Sequence, residues 1–146
     1  MIDPHVRVAV GSDAPQLRAL ESLARTTLET QRGGLRWLAT HPEVADGWVA
    51  RLASTPVFVA HIDGVLVGYL AASQDGEVLR IDDVFVQPEA REVGFGDELL
   101  AAAMSTGRQL GCRLLEGEAL PGDRDTKNLY ERAGIKARLI TVSIEL

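Results

Sequence analysis

The sequence predicts an α/β domain built around a mixed β-sheet, and three observations support this fold class. The chain has 146 residues, of which 46% are hydrophobic and 25% charged, which is typical of one soluble domain with its own core. Two β-rich runs joined by Asp63-Gly64 indicate an antiparallel hairpin. Further on, a strand, an apolar-periodic helix and a second short strand form a crossover that normally makes two strands parallel. The sheet should therefore contain both kinds of strand pair.

The first part of the chain predicts a strand followed by a helix. Residues 6–10 are rich in valine and favour a short strand. Asp13, with Gln16 three positions later, is a typical helix start. Apolar side chains then recur at three- and four-residue spacing over residues 17–28, which predicts a helix that ends near Gly33.

The middle of the chain predicts one more helix and then the hairpin. A helical stretch is expected around Trp48, and Pro56 should end it. Residues 57–62 and 65–72 are rich in β-forming side chains, and only Asp63-Gly64 separates them. A two-residue Asp-Gly turn matches the right-handed twist of paired strands, so these runs should form adjacent antiparallel strands.

Two adjacent acids, Asp82 and Asp83, lie inside the next predicted strand, which covers residues 78–86. Successive side chains of a strand point to opposite faces, so the two carboxylates can serve the same site only if a β-bulge intervenes. The alternative is structural, with both acids binding loop N–H groups or a cationic side chain.

A glycine-bearing loop, Arg91-Glu92-Val93-Gly94-Phe95-Gly96, leads directly into an apolar-periodic helix that should continue to Gly111. Free N–H groups at the start of that helix, together with the helix dipole, favour an anion such as a pyrophosphate. The loop matches neither the dinucleotide-binding fingerprint nor a P-loop. Glycines that only shape a turn are the alternative.

The last part of the chain predicts a strand, a helix and a final strand. Residues 113–119 can return as a strand parallel to the one before the long helix. Pro121-Gly122 breaks the chain, and residues 125–133 favour a short helix that Gly134 ends. Residues 137–145 alternate between apolar and polar side chains, as a final strand would.

Charge and composition exclude several functional classes. The formal net charge is −6 and the pI about 5.0, which argues against nucleic acid or an anionic membrane as partner and favours a cationic small molecule or protein. A lone Cys112 and an N-terminus without a secretory pattern predict a cytoplasmic protein. Scattered histidines and short apolar runs predict neither a metal site nor a membrane span.

Several of these motifs together resemble the signature of the GNAT superfamily of N-acetyltransferases. They are Val86-Gln87-Pro88, then Arg91-x-x-Gly94-x-Gly96, then Leu99-Leu100. Downstream, Lys127-Asn128-Leu129-Tyr130-Glu131-x-x-Gly134 is similar to a second motif on the family's CoA side. The resemblance spans nearly the whole chain. It implies a three-layer αβα fold with a central parallel strand pair, acetyl-CoA as cosubstrate, and no metal.

The resemblance also implies which residues hold the cofactor. The loop before the long helix would bind the pyrophosphate, the end of the acidic strand would bind the pantetheine arm, and Asp123 falls where many relatives have an asparagine contacting that arm. Glu92 and Asp97 depart from the basic or small polar residues of relatives, which should weaken binding. The expected cofactor-binding residues are Val84, Phe85, Val86, Arg91, Glu92, Val93, Gly94, Phe95, Gly96, Asp97 and Asp123.

Acetyl transfer to an amine needs a neutral amine, stabilisation of the thioester oxyanion and a proton for the leaving thiolate. The resemblance assigns Asp82, directly or through water, to help deprotonate the amine, because the polyamine acetyltransferase branch carries a strand carboxylate there. It assigns Tyr130 to protonate the thiolate, and main-chain N–H groups of residues 84–86 to the oxyanion. Alternatively, Tyr130 only covers the edge of its helix.

The short stretch after Gly134 leaves room for one strand, whereas most relatives have two, so a second subunit is expected to complete the sheet as a homodimer. The main alternative function is a non-catalytic acyl-CoA-binding sensor or regulatory module. A further alternative is an interaction protein that has lost the cofactor.

Overall fold

The computed structural model of the protein describes residues 5–146, and its centre is a five-stranded mixed sheet. The strands lie in chain order across the sheet. The first four pair antiparallel, and the fourth and fifth pair parallel. The strands are β1 (His5–Val8), β2 (Val57–Ile62), β3 (Val65–Asp75), β4 (Val78–Val86) and β5 (Leu114–Glu116).

Helices cover both faces of this sheet, so the described residues form three layers. The helices are α1 (Ala14–Leu28), α2 (Gly34–Thr40), α3 (Trp48–Ser54), α4 (Phe95–Gln109) and α5 (Arg124–Arg132). One apolar core lies under α4 and α5 and contains Leu99 and Leu129. The other lies under α1 and α3 and contains Leu17 and Trp48. The predicted α/β class and mixed sheet are confirmed.

Helix α1 starts where the sequence predicts, but by a different mechanism. Asp13 does not cap it; the Asp13 carboxylate accepts hydrogen bonds from the Arg7 guanidinium at 2.7 and 2.9 Å and from the Val10 N–H at 2.8 Å. The Gln16 side-chain oxygen instead accepts from the Leu66 N–H at 2.9 Å. These contacts fasten the start of α1 to the sheet. Helix α2, which follows the predicted stop at Gly33, has no counterpart among the predicted elements.

A β-bulge lies at the acidic pair. Along the antiparallel pair β3·β4, Ala71 is opposite Asp83 and Ala72 is opposite Ile81, so Asp82 is the extra residue. The bulge turns both acids toward the layer of α1 and α3: Asp82 contacts Arg51 of α3, and Asp83 contacts a tyrosine of that core. The condition under which both acids could serve one site is therefore met.

The prediction of a final strand over residues 137–145 is wrong for the described chain. This segment has no regular secondary structure, and its large apolar side chains are exposed, with Leu139 at 88% and Val142 at 86%. Alternation gives a strand one apolar face, but a strand also needs a neighbour for its backbone N–H and C=O groups. Without it, β5 is the edge strand, so the parallel pair lies at one end of the sheet and not at its centre.

Candidate active site

A cleft of about 880 Å³ opens where β4 and β5 diverge. The parallel pairing runs only as far as Arg80 and Glu116, and β4 continues to Val86 with no further strand partner on that side among residues 5–146. Residues 81–86 of β4 form the floor of the cleft. Main-chain groups on this edge of β4 are therefore available to a ligand, which a continuous sheet would prevent.

One end of the cleft is the start of α4. Gly94 lies just before the helix with a φ of +95°, and Glu92 has a φ of +68°, both in the left-handed region. No side chain of residues 5–146 caps this end of α4, so the first N–H groups of the helix are left for another acceptor. The Arg91 Nε donates to the Val86 carbonyl at 2.9 Å and fixes the loop to β4. This geometry suits an anionic group.

The predicted cofactor residues divide into groups with different surroundings. Phe85 and Phe95 point into the two cores and offer a ligand only their backbone. Val84 and Val86 are partly buried on the floor of the cleft. Val93 is exposed at the outer side of the loop.

Two of the three predicted acidic residues near the loop, Asp97 and Asp123, form hydrogen bonds within the chain. Asp97 accepts a hydrogen bond from the Arg132 Nε at 3.2 Å, while Glu92 is exposed. Asp123 caps α5 by accepting from the Thr126 N–H at 3.1 Å and from its hydroxyl at 2.6 Å. Gly96 packs closely against α5, because a Cβ there would be 3.0 Å from a Leu129 methyl group.

Tyr130 of α5 extends into the wall of the cleft and is only 8% exposed. Its hydroxyl packs against Gly117, where a Cβ atom would be 2.6 Å from the hydroxyl oxygen. Burial raises the pKa of Tyr130 well above its usual value, and the negative charges of Asp83, Asp123 and Glu118 add to the shift. The phenol therefore keeps its proton at neutral pH.

The two acids of β4 have different partners. The Asp82 carboxylate accepts from an Arg51 guanidinium nitrogen at 2.5 Å and from the Ser73 hydroxyl at 3.1 Å. The Asp83 carboxylate accepts from the Tyr69 hydroxyl at 2.5 Å. Burial raises the pKa of Asp83 to about 6, while the Tyr69 hydrogen bond opposes that rise. Asp82 is thus held in an ion pair, and Asp83 is the acid whose proton affinity suits exchange near neutral pH.

The end of the cleft away from the α4 terminus contains two residues without a predicted role, Gln31 and Glu118. Gln31, which follows α1, lines it, and its buried Oε1 atom has no hydrogen-bond partner among residues 5–146. Glu118 lines it from the loop after β5. Trp37 of α2 stacks on His41 with ring centroids 4.1 Å apart. The apolar spacing of Leu35 and Leu38 around Trp37 is the signal that could have predicted α2.

Charge in the cleft is unevenly distributed. Seven carboxylates and two guanidinium groups are among the side chains that line it. Both guanidinium groups are already paired, since Arg91 donates to Asp125 at 2.7 Å and Arg132 to Asp97. The field of the cleft is therefore negative and favours a cation at the end where Asp83 and Glu118 lie.

The family to which these features point is settled by comparison with known proteins. The model of the acetyltransferase (GNAT) family matches residues 17–135. The chain belongs to this family. The resemblance found in the sequence and the fold it implied are thereby confirmed, apart from the position of the parallel strand pair.

Individual relatives are distant but cover nearly the whole chain. Aminoglycoside N(6')-acetyltransferase type 1 of Salmonella typhimurium is 26% identical in an alignment of length 131 that covers 80% of this chain and 90% of the relative. The solved aminoglycoside N-acetyltransferase AAC(6')-Iy in complex with CoA has a TM-score of 0.71 at 21% identity, covering 97% of this chain and 100% of that one. A ribosomal-protein-alanine N-acetyltransferase from Brucella melitensis has a TM-score of 0.74 at 17% identity, covering 98% and 99%. These structures share the GNAT fold with this chain.

Two further properties concern the described part of the GNAT chain. No helix within residues 5–146 is both long and apolar enough to span a membrane. In the same residues, no group of three or more His, Cys, Asp and Glu side chains is arranged to hold a metal ion.

Proposed function

We propose that this protein is an N-acetyltransferase that moves the acetyl group of acetyl-CoA directly to a primary amine of a small molecule or protein. One observation carries the proposal. The cleft along the free edge of β4 has an uncapped helix start at one end and a negatively charged pocket with Asp83 at the other, and the Tyr130 hydroxyl lies in its wall. These are the parts that a cofactor phosphate, a cationic acceptor and a leaving thiolate require.

In this proposal the cosubstrate lies along β4. The N–H groups at the start of α4, shaped by Gly94 and Gly96, bind the pyrophosphate. The free edge of residues 84–86 binds the pantetheine arm and donates main-chain N–H groups to the thioester oxygen as it becomes an oxyanion. Arg91 also lines the cleft, and its guanidinium can bind a phosphate once it exchanges its pairing with Asp125.

For the base we propose Asp83 in place of Asp82. Both acids line the cleft, but Asp82 is held in an ion pair with the Arg51 guanidinium at 2.5 Å, whereas Asp83 has no ion-pair partner in the described residues and its pKa is raised to about 6. Asp83 accepts a proton from the substrate ammonium group, and the free amine nitrogen then attacks the thioester carbonyl carbon. An aminoglycoside-type ammonium is still mostly protonated at neutral pH, so this transfer, direct or through water, precedes attack.

Tyr130 is proposed as the acid. As the tetrahedral intermediate collapses, the carbon–sulfur bond breaks and the phenol gives its proton to the CoA sulfur. The second proton of the attacking nitrogen is released and returns to the phenolate, so the products are an N-acetyl amine, CoA thiol and one proton. A phenol with a raised pKa stays protonated until the thiolate forms, which suits an acid.

The acceptor is proposed to be a small molecule that carries several amino groups, with an aminoglycoside as the first candidate. The negative cleft supports a polycation, and curated relatives at 26% identity are named aminoglycoside N(6')-acetyltransferases. A protein amine is the second candidate, because one structural neighbour is named a ribosomal-protein-alanine N-acetyltransferase. A panel of aminoglycosides, linear polyamines and peptides with an N-terminal alanine separates these classes.

The experiment that tests the reaction measures thiol release from acetyl-CoA with this panel for the wild type, Tyr130→Phe, Asp83→Asn and Asp82→Asn. General acid or base groups contribute about 10²-fold or more, so we expect kcat to fall at least that far for Tyr130→Phe and Asp83→Asn. Asp82→Asn should keep most of the activity. If Asp83→Asn kept full activity and Asp82→Asn lost it, Asp82 would be the base. If the wild type released no thiol with any amine of the panel, the proposed acetyltransferase activity would be wrong.

A non-catalytic acyl-CoA sensor is the second candidate function, and one observation favours it. Both guanidinium groups of the cleft are paired with acids, so the cofactor phosphates meet little free positive charge. Titration calorimetry with acetyl-CoA decides the matter alongside the turnover assay. Binding without turnover on any amine supports the sensor, whereas binding with turnover excludes it.

We also propose that residues 1–146 act as one domain of a cytoplasmic homodimer. The exposed apolar segment after α5 supports a second copy as partner, because it has the pattern of a strand but no strand neighbour among the described residues. The single Cys112 is compatible with a reducing compartment.

A further inference from the structure

We infer that Tyr69 is a positioning residue, whose buried hydroxyl orients the Asp83 carboxylate toward the cleft through a hydrogen bond. This inference rests on the proposed function in that it takes Asp83 as the base. The hydrogen bond should stabilise the charged form of the Asp83 carboxylate, and this effect can be measured in the titration of Asp83 without any turnover.

The geometry gives the Tyr69 hydroxyl one place to donate. Tyr69 is opposite Phe85 across the β3·β4 pair, and Asp83 is opposite Ala71, so Tyr69 and Asp83 are diagonal neighbours on one face. The tyrosine is 0% exposed, and its hydroxyl donates to Asp83 at 2.5 Å. A buried hydroxyl without this acceptor would lose a hydrogen bond that water cannot replace.

Packing holds the Tyr69 ring in place. The edge of the Trp48 indole meets the ring at a centroid distance of 5.7 Å and an angle of 77°. The Phe85 ring lies 6.4 Å away and is tilted by 51°. Because neighbouring rings fix the phenol, its hydroxyl can fix the rotamer of Asp83 in turn. Asp83 also lines the cleft. The hydrogen bond from Tyr69 therefore determines the direction in which the Asp83 carboxylate faces a substrate.

The charges around Asp83 come from every element that packs against it. Burial raises the pKa of Asp83 most, and the negative charge of Glu21 on α1 adds to the rise. The Tyr69 hydrogen bond is the largest opposing influence, and Arg25 on α1 also opposes it. Of the remaining groups, Asp82 is neutralised by Arg51 of α3, while the Tyr130 phenol and the Glu118 carboxylate line the same cleft.

Tyr69 itself does not exchange the proton. Burial, followed by the charge of Asp83 and the hydrogen bond to it, raises the pKa of Tyr69 well above its usual value. The hydroxyl is therefore a donor throughout the working pH range. It favours the charged carboxylate, so it keeps Asp83 ionised, and able to accept a proton, at a lower pH than burial alone would allow.

The test replaces Tyr69 by phenylalanine, which keeps the ring and removes only the hydroxyl. A hydrogen bond to a charged group is worth about 1.5–3 kcal/mol, which corresponds to a shift of about one to two pH units in the titration of its acceptor. We expect the carbon-13 carboxyl signal of Asp83 to titrate about one unit higher in Tyr69→Phe. The acidic limb of the kcat/KM profile should move up by the same amount.

Ser73→Ala is the matched control. It also removes a hydroxyl donor from β3, but one that donates to Asp82 at 3.1 Å, so it should leave both the Asp83 titration and the acidic limb in place. In an Asp83→Asn background the shift of the limb caused by Tyr69→Phe should disappear. An unchanged Asp83 titration in a folded Tyr69→Phe protein would overturn the inference.

A second variant keeps the inference testable if Tyr69→Phe does not fold. The chain has two tyrosines, so 3-fluorotyrosine incorporated into Tyr130→Phe labels only Tyr69. The more acidic fluorophenol is a stronger donor, and the Asp83 signal should then titrate at a lower pH; no change would overturn the inference. Failure of the proposed function shows differently, as a wild type without turnover whose Asp83 titration still responds to Tyr69.

Discussion

Gly117 lies where the Tyr130 hydroxyl needs space. A Cβ atom there would be 2.6 Å from the hydroxyl oxygen, 2.9 Å from Cζ and 3.4 Å from the Cβ of Ile81. The first two distances are too short for any real contact, and the buried ring of Tyr130 cannot swing freely away. The absence of a side chain at this position is thus part of what places the proposed acid in the cleft.

Gly117→Ala should therefore lower kcat toward the level of Tyr130→Phe, with a smaller effect on the KM for acetyl-CoA. In a Tyr130→Phe background the same substitution should lower kcat little further, because the hydroxyl that it would displace is already absent. Gly122→Ala is the control, since its added Cβ would meet only ordinary contact, 3.9 Å from the Arg32 nitrogen. Equal losses on both backgrounds, measured by thiol release, would remove the link between Gly117 and Tyr130.

Asp83 also makes stability depend on pH. Its pKa is raised to about 6 in the folded chain, above the value of about 3.9 for an unfolded aspartate. Between these values the native state binds more protons than the unfolded state, so the free energy of unfolding falls as the pH rises through this window. Above it, the folded protein carries a buried charge that the unfolded chain can solvate.

Asp83→Asn removes this titration while keeping an acceptor for the Tyr69 hydroxyl. We expect the Tm of the variant, relative to wild type, to be a few degrees higher at pH 8 than at pH 4.5. Thermal melts of the two proteins at both pH values give this difference directly. A difference that is constant, or larger at the acidic end, would contradict a raised pKa of Asp83.

At the scale of single elements, local sequence signals predict the framework of the site. Strand β4 has the predicted bounds, and helix α4 begins within the predicted loop, because a glycine turn and a regular apolar stripe act over a few residues. The Asp63-Gly64 turn likewise forms with both residues at positive φ. The family resemblance adds the prediction that the cofactor-binding residues lie along these elements.

The orientation of the acidic pair could not be predicted in the same way. Which of Asp82 and Asp83 forms an ion pair depends on a one-residue shift between β3 and β4, and on Arg51, which is distant in the chain. The register of two strands and an ion pair between layers depend on residues far apart in the chain, so no periodic pattern in the sequence predicts them. The same holds for Gln31 and Glu118, which line the same cleft although they are distant in the chain.

At the scale of the whole molecule, the segment after α5 has apolar side chains that no other described residues bury. Five large apolar side chains of this segment are at least 80% exposed, and β5 presents an edge without a strand neighbour in the described residues. Strand alternation puts Ile140, Val142 and Ile144 on one face and Thr141 and Ser143 on the other. We therefore expect these exposed apolar side chains and the open edge of the sheet to favour pairing with a second copy of the chain.

Deletion of residues 137–146 should therefore convert a dimer into a monomer, as measured by light scattering after size exclusion. Val142→Lys should do the same because it puts a charge on the apolar face, whereas Ser143→Lys, on the opposite face, should leave the dimer intact.

Acetyl-CoA binding should survive in each variant, since the start of α4 is built by other elements. The acceptor KM should rise in the monomers, because the loop that carries Glu118 follows directly from β5 and would lose its neighbour. A wild type that is monomeric at tens of micromolar, or a Ser143→Lys variant that dissociates like Val142→Lys, would contradict pairing through this face.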